Sequence, residues 1–389
     1  MTSLAERLRE GPAYLDYNAT TPVDPEVAEA MLPYLTAHFG NPSSGHPYGR
    51  LAAAAVATAR DQVAGLIGAG PADIVFTGSG SEANTLALRG TLLPALRQGR
   101  DHLVTQTTEH PSVLETCRAL ERLHGVRVTR LPVDRHGRVG PEDLRAAVTD
   151  RTALVSVQHA NGETGTLQPV AELAAIAHQA GALLHTDASQ TIGRIPVDVT
   201  ALGADLLTVT GHKCYGPKGA AALYAPERLA LEPLLCGGGQ ESHRRAGTEN
   251  VPALVGLGAA AVKAAGLLGT EPARLAALRD ALHDGLARAF PGRITLNGHP
   301  EHRLPNTLNL SIAGVIAADV LAAAPGLAAS TASACHSGGH RPSDVLLAMG
   351  IGKQQALAAF RLTLGRWSGT ADTGRAVQAL TKAVPRTGD

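Results

Sequence analysis

Short apolar runs alternate with amphipathic stretches along the first two thirds of the chain. The stretches 82–97, 111–123 and 170–180 have the length and spacing of crossover helices. The apolar runs between such stretches have the length of buried strands and lie at 74–77, 102–105, 153–157, 182–185, 206–209 and 220–224. Because neighbouring parallel strands need helical crossovers, this alternation predicts an α/β fold built on a mostly parallel sheet.

The pattern changes towards the C-terminus. Residues 254–268 are rich in Ala, Gly and Leu and predict a long helix that joins a sheet domain to a smaller domain. Further strands are predicted at 294–296, 307–311 and 361–364, and further helices at 342–349 and 370–384; the alanine-rich segments 51–59 and 317–329 also favour helix. We therefore predict a large domain over 14–256 and a small domain formed by 1–13 and 257–389.

Length and composition limit the classes of function. A chain of 389 residues exceeds the usual size of a single core, about 250–300 residues, which agrees with two domains. The 34 basic and 34 acidic residues leave no net charge, so neither nucleic acid nor an anionic membrane is an expected primary partner. No apolar run approaches the roughly 18 residues of a membrane span, and no signal peptide is visible. We expect a soluble, cytoplasmic protein.

The four cysteines are scattered along the chain, with no Cys-x-x-Cys pair and no His-Glu-x-x-His motif. A metal site therefore has no local support, and none is predicted. Two of the cysteines, Cys117 and Cys236, are interpreted as small buried apolar residues, and Cys214 as a packing residue.

Polar residues follow the predicted strands at their carboxyl ends, where ligands bind in open α/β sheets. After 74–77 comes a Gly/Ser turn with Gly80 and Ser81, which offers backbone N–H groups to a phosphate, although a simple helix cap would explain this turn equally well. The other strand ends carry His110, His159 with Asn161, Asp187 with Gln190, and Thr210 with His212 and Lys213. One such residue alone is usually a cap, but their joint placement predicts a ligand site.

Lys213 is the most informative of these residues. It lies between His212 and Cys214 at the end of an apolar strand, where partial desolvation should lower the pKa of its ammonium group. Such a lysine can form a Schiff base with an aldehyde, whereas the alternative is a surface lysine with a solvated head. With Gly80, Ser81 and His212 on a phosphate and Asp187 on a ring nitrogen, the set describes pyridoxal 5′-phosphate (PLP).

Several longer motifs resemble those of the PLP-dependent cysteine desulfurases of the class V aminotransferase group. They are Tyr-Leu-Asp-Tyr-Asn-Ala-Thr-Thr-Pro at 14–22, Phe-Gly-Asn-Pro-Ser-Ser at 39–44, Thr-Glu-His at 108–110, His-Thr-Asp-Ala-Ser-Gln at 185–190, Gly-His-Lys-Cys-Tyr-Gly-Pro-Lys-Gly at 211–219 and Ser-Ala-Cys at 333–335. The resemblance covers about 14–367. It implies the PLP-dependent transferase fold type I, with a large, mostly parallel seven-stranded sheet domain, helices on both of its faces, and a smaller α+β C-terminal domain.

The resemblance also implies roles for individual residues. Lys213 matches the lysine that bears the cofactor, Asp187 the partner of the pyridine nitrogen, and His110 the imidazole stacked on the ring. Gln190 and Asn161 match contacts to the phenolic oxygen and the substrate, and Arg361 matches the residue that binds the substrate α-carboxylate. The positions matching phosphate contacts are Gly80, Ser81, Thr210, His212 and, from a second subunit, Thr248. A homodimer is therefore expected.

Cys335 matches the catalytic cysteine. Its neighbours over 330–340 are small and polar, which is typical of a loop, and a nucleophile that carries sulfur to an acceptor needs mobility. The segment 328–342 resembles the longer catalytic loop of the family's iron–sulfur and tRNA-thiolation branch. The resemblance thus implies conversion of L-cysteine to L-alanine, with sulfur held as a persulfide on Cys335 and passed to an acceptor protein.

Two alternatives stay open at this point. One is a selenocysteine lyase or another class V carbon–sulfur lyase, which would not need Cys335. The other is a non-catalytic sulfur-relay scaffold, which would not need Lys213, Asp187, His110, Cys335 and Arg361 together. Departures from the family pattern at Gly162, Thr164, 242–243 and 331–332 leave turnover and acceptor open. Candidate uses of the sulfur are iron–sulfur cluster assembly, tRNA thiolation and supply to other thio-cofactors.

Overall fold

A computed structural model of the chain describes residues 4–331 and 341–385. The helices are α1 Leu4–Glu10, α2 Pro25–Thr36, α3 Pro47–Leu66, α4 Gly80–Leu96, α5 Pro111–His124, α6 Pro141–Ala147, α7 Val170–Gln179, α8 Val199–Leu202, α9 Val251–Leu267, α10 Glu271–Ala289, α11 Ala317–Ala322, α12 Asp344–Ala348, α13 Lys353–Leu357 and α14 Thr370–Ala383. The strands are β1 Ala13–Tyr14, β2 Ile74–Thr77, β3 His102–Gln106, β4 Arg127–Leu131, β5 Thr152–Ser156, β6 Leu183–Asp187, β7 Leu206–Thr210, β8 Ala221–Tyr224, β9 Ile294–Asn297, β10 Thr307–Ile312, β11 Leu327–Ala328, β12 Ser330–Thr331 and β13 Ala359–Thr363.

A seven-stranded sheet carries the larger part of the chain, with the strand order β2-β8-β7-β6-β5-β3-β4. Strand β8 runs antiparallel to both β2 and β7, and the other neighbouring pairs are parallel. Helices cover both faces of this sheet: Phe76 packs in a core with α3 and α9, while Val75, its neighbour along β2, packs in a core with α4 and α5. The predicted α/β fold with a mostly parallel sheet is confirmed.

Strand β4 is the one member of this sheet that the hydrophobic pattern missed. Its sequence, Arg-Val-Thr-Arg-Leu, alternates charged and apolar residues, and among these residues only Leu131 is buried. The strand lies at the edge of the sheet and pairs only with β3. Four of its five residues are partly or fully exposed and two of them are arginines, so no continuous apolar run marks it. Strand β2, at the opposite edge, is buried along its whole length and was predicted.

A four-stranded antiparallel sheet, with the order β12-β13-β10-β9, forms in the C-terminal part of the chain. Its core includes Leu308 and Leu310 on β10, packed with α10 and α14. Strand β1 pairs with β11, so the beginning of the chain joins this part of the structure. The prediction of helix throughout 317–329 is wrong beyond Ala322, since Pro325 and Gly326 follow and neither continues a helix.

The predicted domain boundary near residue 257 falls inside α9. Leu257, Ala261 and Ala264 of this helix pack in the same core as α3 and the large sheet. The boundary stays a prediction, and this packing favours a division between α9 and α10. Among the described helices, none is by itself long and apolar enough to cross a membrane, and only α9 and α10 taken together, bent by 76°, meet that criterion.

Candidate active site

A cavity of about 410 Å³ opens at the carboxyl ends of β2, β3, β5, β6 and β7. Ten residues that the sequence predicted for the site line this cavity together: Gly80, Ser81, His110, Asn161, Asp187, Gln190, Thr210, His212, Lys213 and Arg361. Thr248 does not line it, and Cys335 lies outside the described residues. Parallel strands bring their carboxyl ends to one edge of the large sheet, which is why residues as far apart as Gly80 and Lys213 meet here, while Arg361 reaches the cavity from β13 of the four-stranded sheet.

The start of α4 forms a small polar pocket in this cavity. Ser79 caps the helix by accepting a hydrogen bond from the Glu82 N–H at 3.1 Å. A Cβ atom on Gly80 would lie 2.4 Å from Thr210 Oγ1, so only glycine leaves this space open. Thr210 Oγ1 in turn lies 2.7 Å from Ser189 Oγ, a residue that the sequence reasoning missed. Free N–H groups at a helix start and two hydroxyls form a set that fits a phosphate group.

Asp187 is held firmly at the end of β6. The Ser189 N–H donates to its Oδ1 at 2.9 Å, and Asn84 Nδ2 donates to its Oδ2 at 2.8 Å. Burial opposes ionisation of this carboxyl, but these hydrogen bonds and the nearby His110 outweigh it and lower the pKa. Asn84 was missed because it lies inside α4, where nothing in the sequence separates it from an ordinary helical position.

Lys213 ends the short 3₁₀ turn Gly211–Lys213 that follows β7. Burial, with Arg194 and Arg361 nearby and Asp187 opposing them, lowers the pKa of its ammonium group to about 8. Within residues 4–331 and 341–385, its Nζ atom has no hydrogen-bond or ion-pair partner. A substantial fraction of Lys213 is therefore neutral near physiological pH, which makes it a nucleophile and a proton acceptor.

Two histidines face the same cavity as neutral rings. His110 caps α5, and its Nδ1 accepts a hydrogen bond from the Ser112 N–H at 3.1 Å. Desolvation lowers the pKa of His110, and desolvation together with Lys213 lowers the pKa of His212 to about 4. His110 therefore retains Nε2 for a ligand, in keeping with the predicted placement next to the cofactor ring.

The guanidinium group of Arg361 lies at another side of the cavity. Its Nη2 pairs with Asp16 Oδ1 at 2.8 Å, and its buried Nε has no partner among the described groups. Its Nη1 lies 3.5 Å from the Gly162 carbonyl, a long contact, so the part of the guanidinium group that lines the cavity keeps a donor for a carboxylate ligand. Asn161 is more occupied: its Oδ1 accepts from the Glu163 and Thr164 N–H groups, each at 2.9 Å, and its Nδ2 donates to the Thr108 carbonyl. Asp16 was not singled out from the sequence.

Glu109 is a buried carboxyl in the wall of the cavity. Its Oε1 accepts hydrogen bonds from the Gln158 N–H at 2.6 Å and from Gln106 Nε2 at 3.0 Å, while its Oε2 has no partner in the described part of the chain. Burial raises its pKa to about 8. Glu109 is therefore mostly protonated at neutral pH, although a carboxylate would be expected from its residue type.

Replacing Glu109 with glutamine should reduce the pH dependence of stability. In the unfolded chain this carboxyl ionises near pH 4.3, so between about pH 4 and 8 the folded protein holds a proton that the unfolded chain lacks. The free energy of unfolding therefore falls as the pH rises through this window. In cofactor-free Glu109→Gln this fall should be smaller, with a gain on the order of 2 kcal/mol at pH 8. Urea unfolding from pH 5 to 8 measures this pH dependence of the free energy of unfolding. The surface control Glu115→Gln should leave the pH profile unchanged. An unchanged profile in Glu109→Gln would contradict the conclusion that Glu109 is protonated in the folded protein.

Thr248 lines a second cavity of about 160 Å³, together with Arg245 and Phe76. Arg245 Nε donates to Glu82 Oε1 at 2.8 Å, which ties this segment to the first turn of α4. Before it, the residues 241–243 adopt positive φ values of 50°, 54° and 64°. Buried Glu241 holds this strained turn through two hydrogen bonds from Arg60 and one from the Phe76 N–H.

Replacing His243 with glycine should stabilise the protein. The residue is exposed and has φ 64°, a conformation that costs a side-chain-bearing residue about 1 kcal/mol relative to glycine. Thermal and urea unfolding should therefore show a gain of about 1 kcal/mol, reduced by the greater entropy of glycine in the unfolded chain. His243→Ala keeps a Cβ atom and serves as the control, with no gain expected; equal stability of both variants would show that the turn is unstrained.

The described cysteines differ in their surroundings. Cys117 and Cys214 are buried in the cores around the large sheet, as predicted. The prediction that Cys236 is buried is wrong: it is exposed, and the three glycines that follow it provide no side chains to cover it. Among residues 4–331 and 341–385, no group of three or more His, Cys, Asp or Glu side chains is placed to hold a metal ion.

The mostly parallel seven-stranded sheet, with helices on both faces and a cavity at its strand ends, has the architecture of fold type I, as in the NIFS-like structure described below. The family model described as aminotransferase class-V matches residues 13–368. The chain is 42% identical over 375 residues to a protein named cysteine desulfurase IscS 1 from Archaeoglobus fulgidus. The alignment covers 96% of this chain and 97% of the relative.

Solved structures agree with the sequence comparison. One titled NIFS-like protein superposes with a TM-score of 0.89 at 33% identity and covers 95% of this chain and 98% of its own. Another, titled SspA in complex with cysteine, has a TM-score of 0.79 at 32% identity. It covers 90% of this chain and 98% of its own. The chain belongs to the aminotransferase class-V family, among the cysteine desulfurases. The resemblance seen in the sequence motifs is thereby confirmed.

Proposed function

We propose that this protein binds PLP in the cavity at the strand ends and converts L-cysteine to L-alanine, with the sulfur passed to an acceptor protein. The observation that carries the proposal is that one cavity joins three features: Lys213, whose pKa is lowered and which has no partner among the described residues, the anchored carboxylate of Asp187, and a phosphate-sized pocket at the helix start, at Gly80. The names of the relatives support the choice of cysteine as substrate.

The residues present fit PLP. The pocket at Gly80, with Ser81, Thr210 and His212, would hold its phosphate, and the Asp187 carboxylate would accept a hydrogen bond from its protonated ring nitrogen. Lys213 would hold its aldehyde carbon. When bound, PLP supplies an electron sink for the pair released when the substrate loses its α-proton.

The substrate is held and deprotonated by residues of the chain itself. Arg361 would bind the α-carboxylate through the guanidinium edge that Asp16 leaves free. Lys213 Nζ, neutral in part at pH 7–8, accepts the proton from the substrate Cα. Because His110 Nδ1 accepts the Ser112 N–H, the neutral ring carries its hydrogen on Nε2, which can donate it during the transfer.

Sulfur transfer is assigned to Cys335, whose role rests on its sequence context because it lies outside the described residues. Its thiolate attacks the substrate sulfur, so that a sulfur–sulfur bond forms and the substrate Cβ–sulfur bond breaks. The electron pair of the broken bond stays with the substrate carbon skeleton, which takes up a proton and leaves as alanine. Cysteine and the enzyme thiol thus give alanine and an enzyme persulfide, and an acceptor protein takes the terminal sulfur.

A homodimer is part of the proposal. Four large apolar side chains within residues 32–48 are more than half exposed: Leu32 (59%), Leu35 (61%), Phe39 (72%) and Tyr48 (61%). The rings of Phe39 and Tyr48 stack, with 5.3 Å between their centroids. An exposed apolar group of this kind typically marks an interface, here with a second copy. It would allow Thr248, which lies outside the cavity of its own chain, to serve the cavity of the partner.

Replacing Phe39 with aspartate should therefore weaken the dimer. A carboxylate in an apolar interface loses its hydration without a partner, so the dimer dissociation constant should rise by about 100-fold or more. Sedimentation equilibrium measures it. Leu123→Asp, at a residue 64% exposed on α5, is the matched control and should leave the dimer unchanged. A monomeric unaltered protein at micromolar concentration would contradict the proposal.

The proposed activity is tested by the visible absorption spectrum of the purified protein before and after addition of L-cysteine, with alanine and sulfide measured in the presence of a reductant. The expected result is a yellow protein whose absorption band changes with cysteine and which releases alanine and sulfide in equal amounts. Release of alanine from selenocysteine but not from cysteine would favour a selenocysteine lyase. A protein that binds PLP without turning over either amino acid would favour the scaffold, and one that cannot be loaded with PLP would refute the cofactor assignment.

A further inference from the structure

Arg194 is a buried cation directly behind the active-site wall. It lies in the turn that follows β6, only 6% of the residue is exposed, and it does not line the cavity itself. Its Nη1 donates to the backbone carbonyl of Gln190 at 2.8 Å and to Gln190 Oε1 at 2.5 Å, and its Nη2 donates to the Tyr17 carbonyl at 2.9 Å. These acceptors are neutral, and no carboxylate pairs with Arg194 in the described ranges.

A buried charge without a counter-ion is costly, commonly by several kcal/mol, even when hydrogen bonds satisfy its donors. Burial lowers the pKa of Arg194 to about 10, which still leaves the guanidinium charged at neutral pH. A neutral donor such as glutamine could make part of the same hydrogen bonds at lower cost. We therefore expect the charge of Arg194 to have a function that offsets this cost. The geometry indicates two effects of Arg194 on neighbouring residues.

The first effect concerns the side-chain amide of Gln190. A guanidinium group only donates hydrogen bonds, so the Gln190 atom that faces Arg194 must be the oxygen. The amide nitrogen then lies on the other side, where it donates one hydrogen to the Asn18 carbonyl at 3.1 Å. Its second hydrogen is left for the cavity, which Gln190 lines. Arg194 thus makes Gln190 a donor, rather than an acceptor, towards a ligand.

The second effect concerns the amine of Lys213. Charged or titratable groups surround it from several elements: Asp16, His110, Asp187, Arg194, His212 and Arg361. The two carboxylates favour the ammonium form, but Asp16 is already paired with Arg361 at 2.8 Å. Both histidines are neutral rings. Of the two arginines near Lys213, Arg361 is paired with Asp16, whereas Arg194 has no counter-ion among the described residues. The positive charge of Arg194 therefore acts on Lys213 without a neighbouring carboxylate to cancel it.

We infer that Arg194 is a positioning residue that orients Gln190 as a hydrogen-bond donor towards the cavity and supplies a positive charge that disfavours the ammonium form of Lys213. The inference deepens the proposed function, since both residues act there on the bound cofactor. Its electrostatic half concerns this chain alone and can be measured without PLP.

Two substitutions separate the charge from the hydrogen bonds. Arg194→Gln retains a donor for Gln190 and removes the charge, whereas Arg194→Lys retains the charge and replaces the two-pronged contact with a single ammonium. The readout is the pKa of Lys213 in cofactor-free protein, followed by NMR after reductive ¹³C-methylation of the five lysines, with Lys213→Ala identifying the resonance. The pKa should rise by about one unit in Arg194→Gln and by less than half of that in Arg194→Lys.

The orientation of Gln190 is tested by PLP affinity. Arg194→Met, which removes every donor, and Gln190→Met should each weaken PLP binding by about 10-fold, because one buried hydrogen bond to the ligand is lost or misdirected. Arg194→Lys keeps a side chain that only donates and should largely retain the affinity. Gln190→Met leaves Arg194 in place and should not move the pKa of Lys213. This second variant keeps the inference testable if Arg194→Gln fails to fold.

Two results would overturn the inference. An unchanged pKa of Lys213 in a folded Arg194→Gln protein, with an unfolding temperature close to that of the unaltered chain, would remove the electrostatic role. Unaltered PLP affinity in both Arg194→Met and Gln190→Met would remove the orienting role. A failure of the unaltered protein to bind PLP would instead refute the proposed function, and the Lys213 titration would still decide the electrostatic part.

Discussion

Replacing Lys213 with alanine should abolish turnover of L-cysteine and the covalent retention of PLP. The residue provides both the amine that would hold the cofactor and the base that takes the substrate α-proton, and no other lysine lines the cavity among the described residues. Loss of a general base alone costs about 10²–10⁴-fold in rate, and loss of the covalent anchor adds to it. Alanine release should therefore fall at least 10⁴-fold.

The matched control is Lys218→Ala, which alters an exposed lysine five residues further along the same loop. It should retain the visible absorption band and the rate of alanine release. Borohydride reduction followed by peptide mass spectrometry should attach the cofactor to Lys213 in the unaltered protein and to no peptide in Lys213→Ala. Cysteine-dependent alanine release by Lys213→Ala near the unaltered rate would refute the assignment.

Replacing Cys335 with alanine should separate cofactor chemistry from sulfur transfer. The variant should bind PLP with unchanged affinity and respond spectrally to cysteine, because the residues that line the cavity are intact. It should form no persulfide and release alanine at least 100-fold more slowly, since without the thiolate no nucleophile is positioned for the substrate sulfur.

Cys236→Ala provides the control, because Cys236 is the exposed cysteine of the described part of the chain and is also open to solvent reagents. It should retain persulfide formation. Radiolabelled sulfur from cysteine should appear on the peptide that contains Cys335 and on no other. Undiminished alanine release by Cys335→Ala would instead identify a carbon–sulfur lyase that does not need a cysteine nucleophile.

Most of the large sheet could be predicted from the sequence because its central strands are buried on both faces. Continuous apolar runs such as 153–157 and 206–209 are then required, and they coincide with most of β5 and most of β7. Strand β4 lacked this signal because only one of its five residues is buried. The same reasoning explains the site: a residue directly after a buried parallel strand lies at the ligand edge of the sheet, which located Asp187 and Lys213 without knowledge of any contact.

The residues that sequence reasoning missed act on the site through contacts made across the fold. Asn84 reaches Asp187 from a helix, Asp16 reaches Arg361 across 345 positions, and Arg194 acts from behind the wall through Gln190. None of them follows a strand directly, and although Asp16 lies in the motif at 14–22, nothing in the sequence assigns any of the three a contact with the site. Their effects depend on distances of about 3 Å between separate elements.

The sequence by itself determined the fold class, the edge of the sheet where the chemistry lies, and the residues at the strand ends that line the cavity, because hydrophobic periodicity and strand direction are local properties of the chain. Only the tertiary structure decided the protonation states and orientations of those residues. Burial sets the pKa values of Lys213 and Glu109, and the guanidinium of Arg194 sets which end of the Gln190 amide faces the cavity. These properties arise from desolvation and from groups distant in sequence, which come together only when the chain has folded.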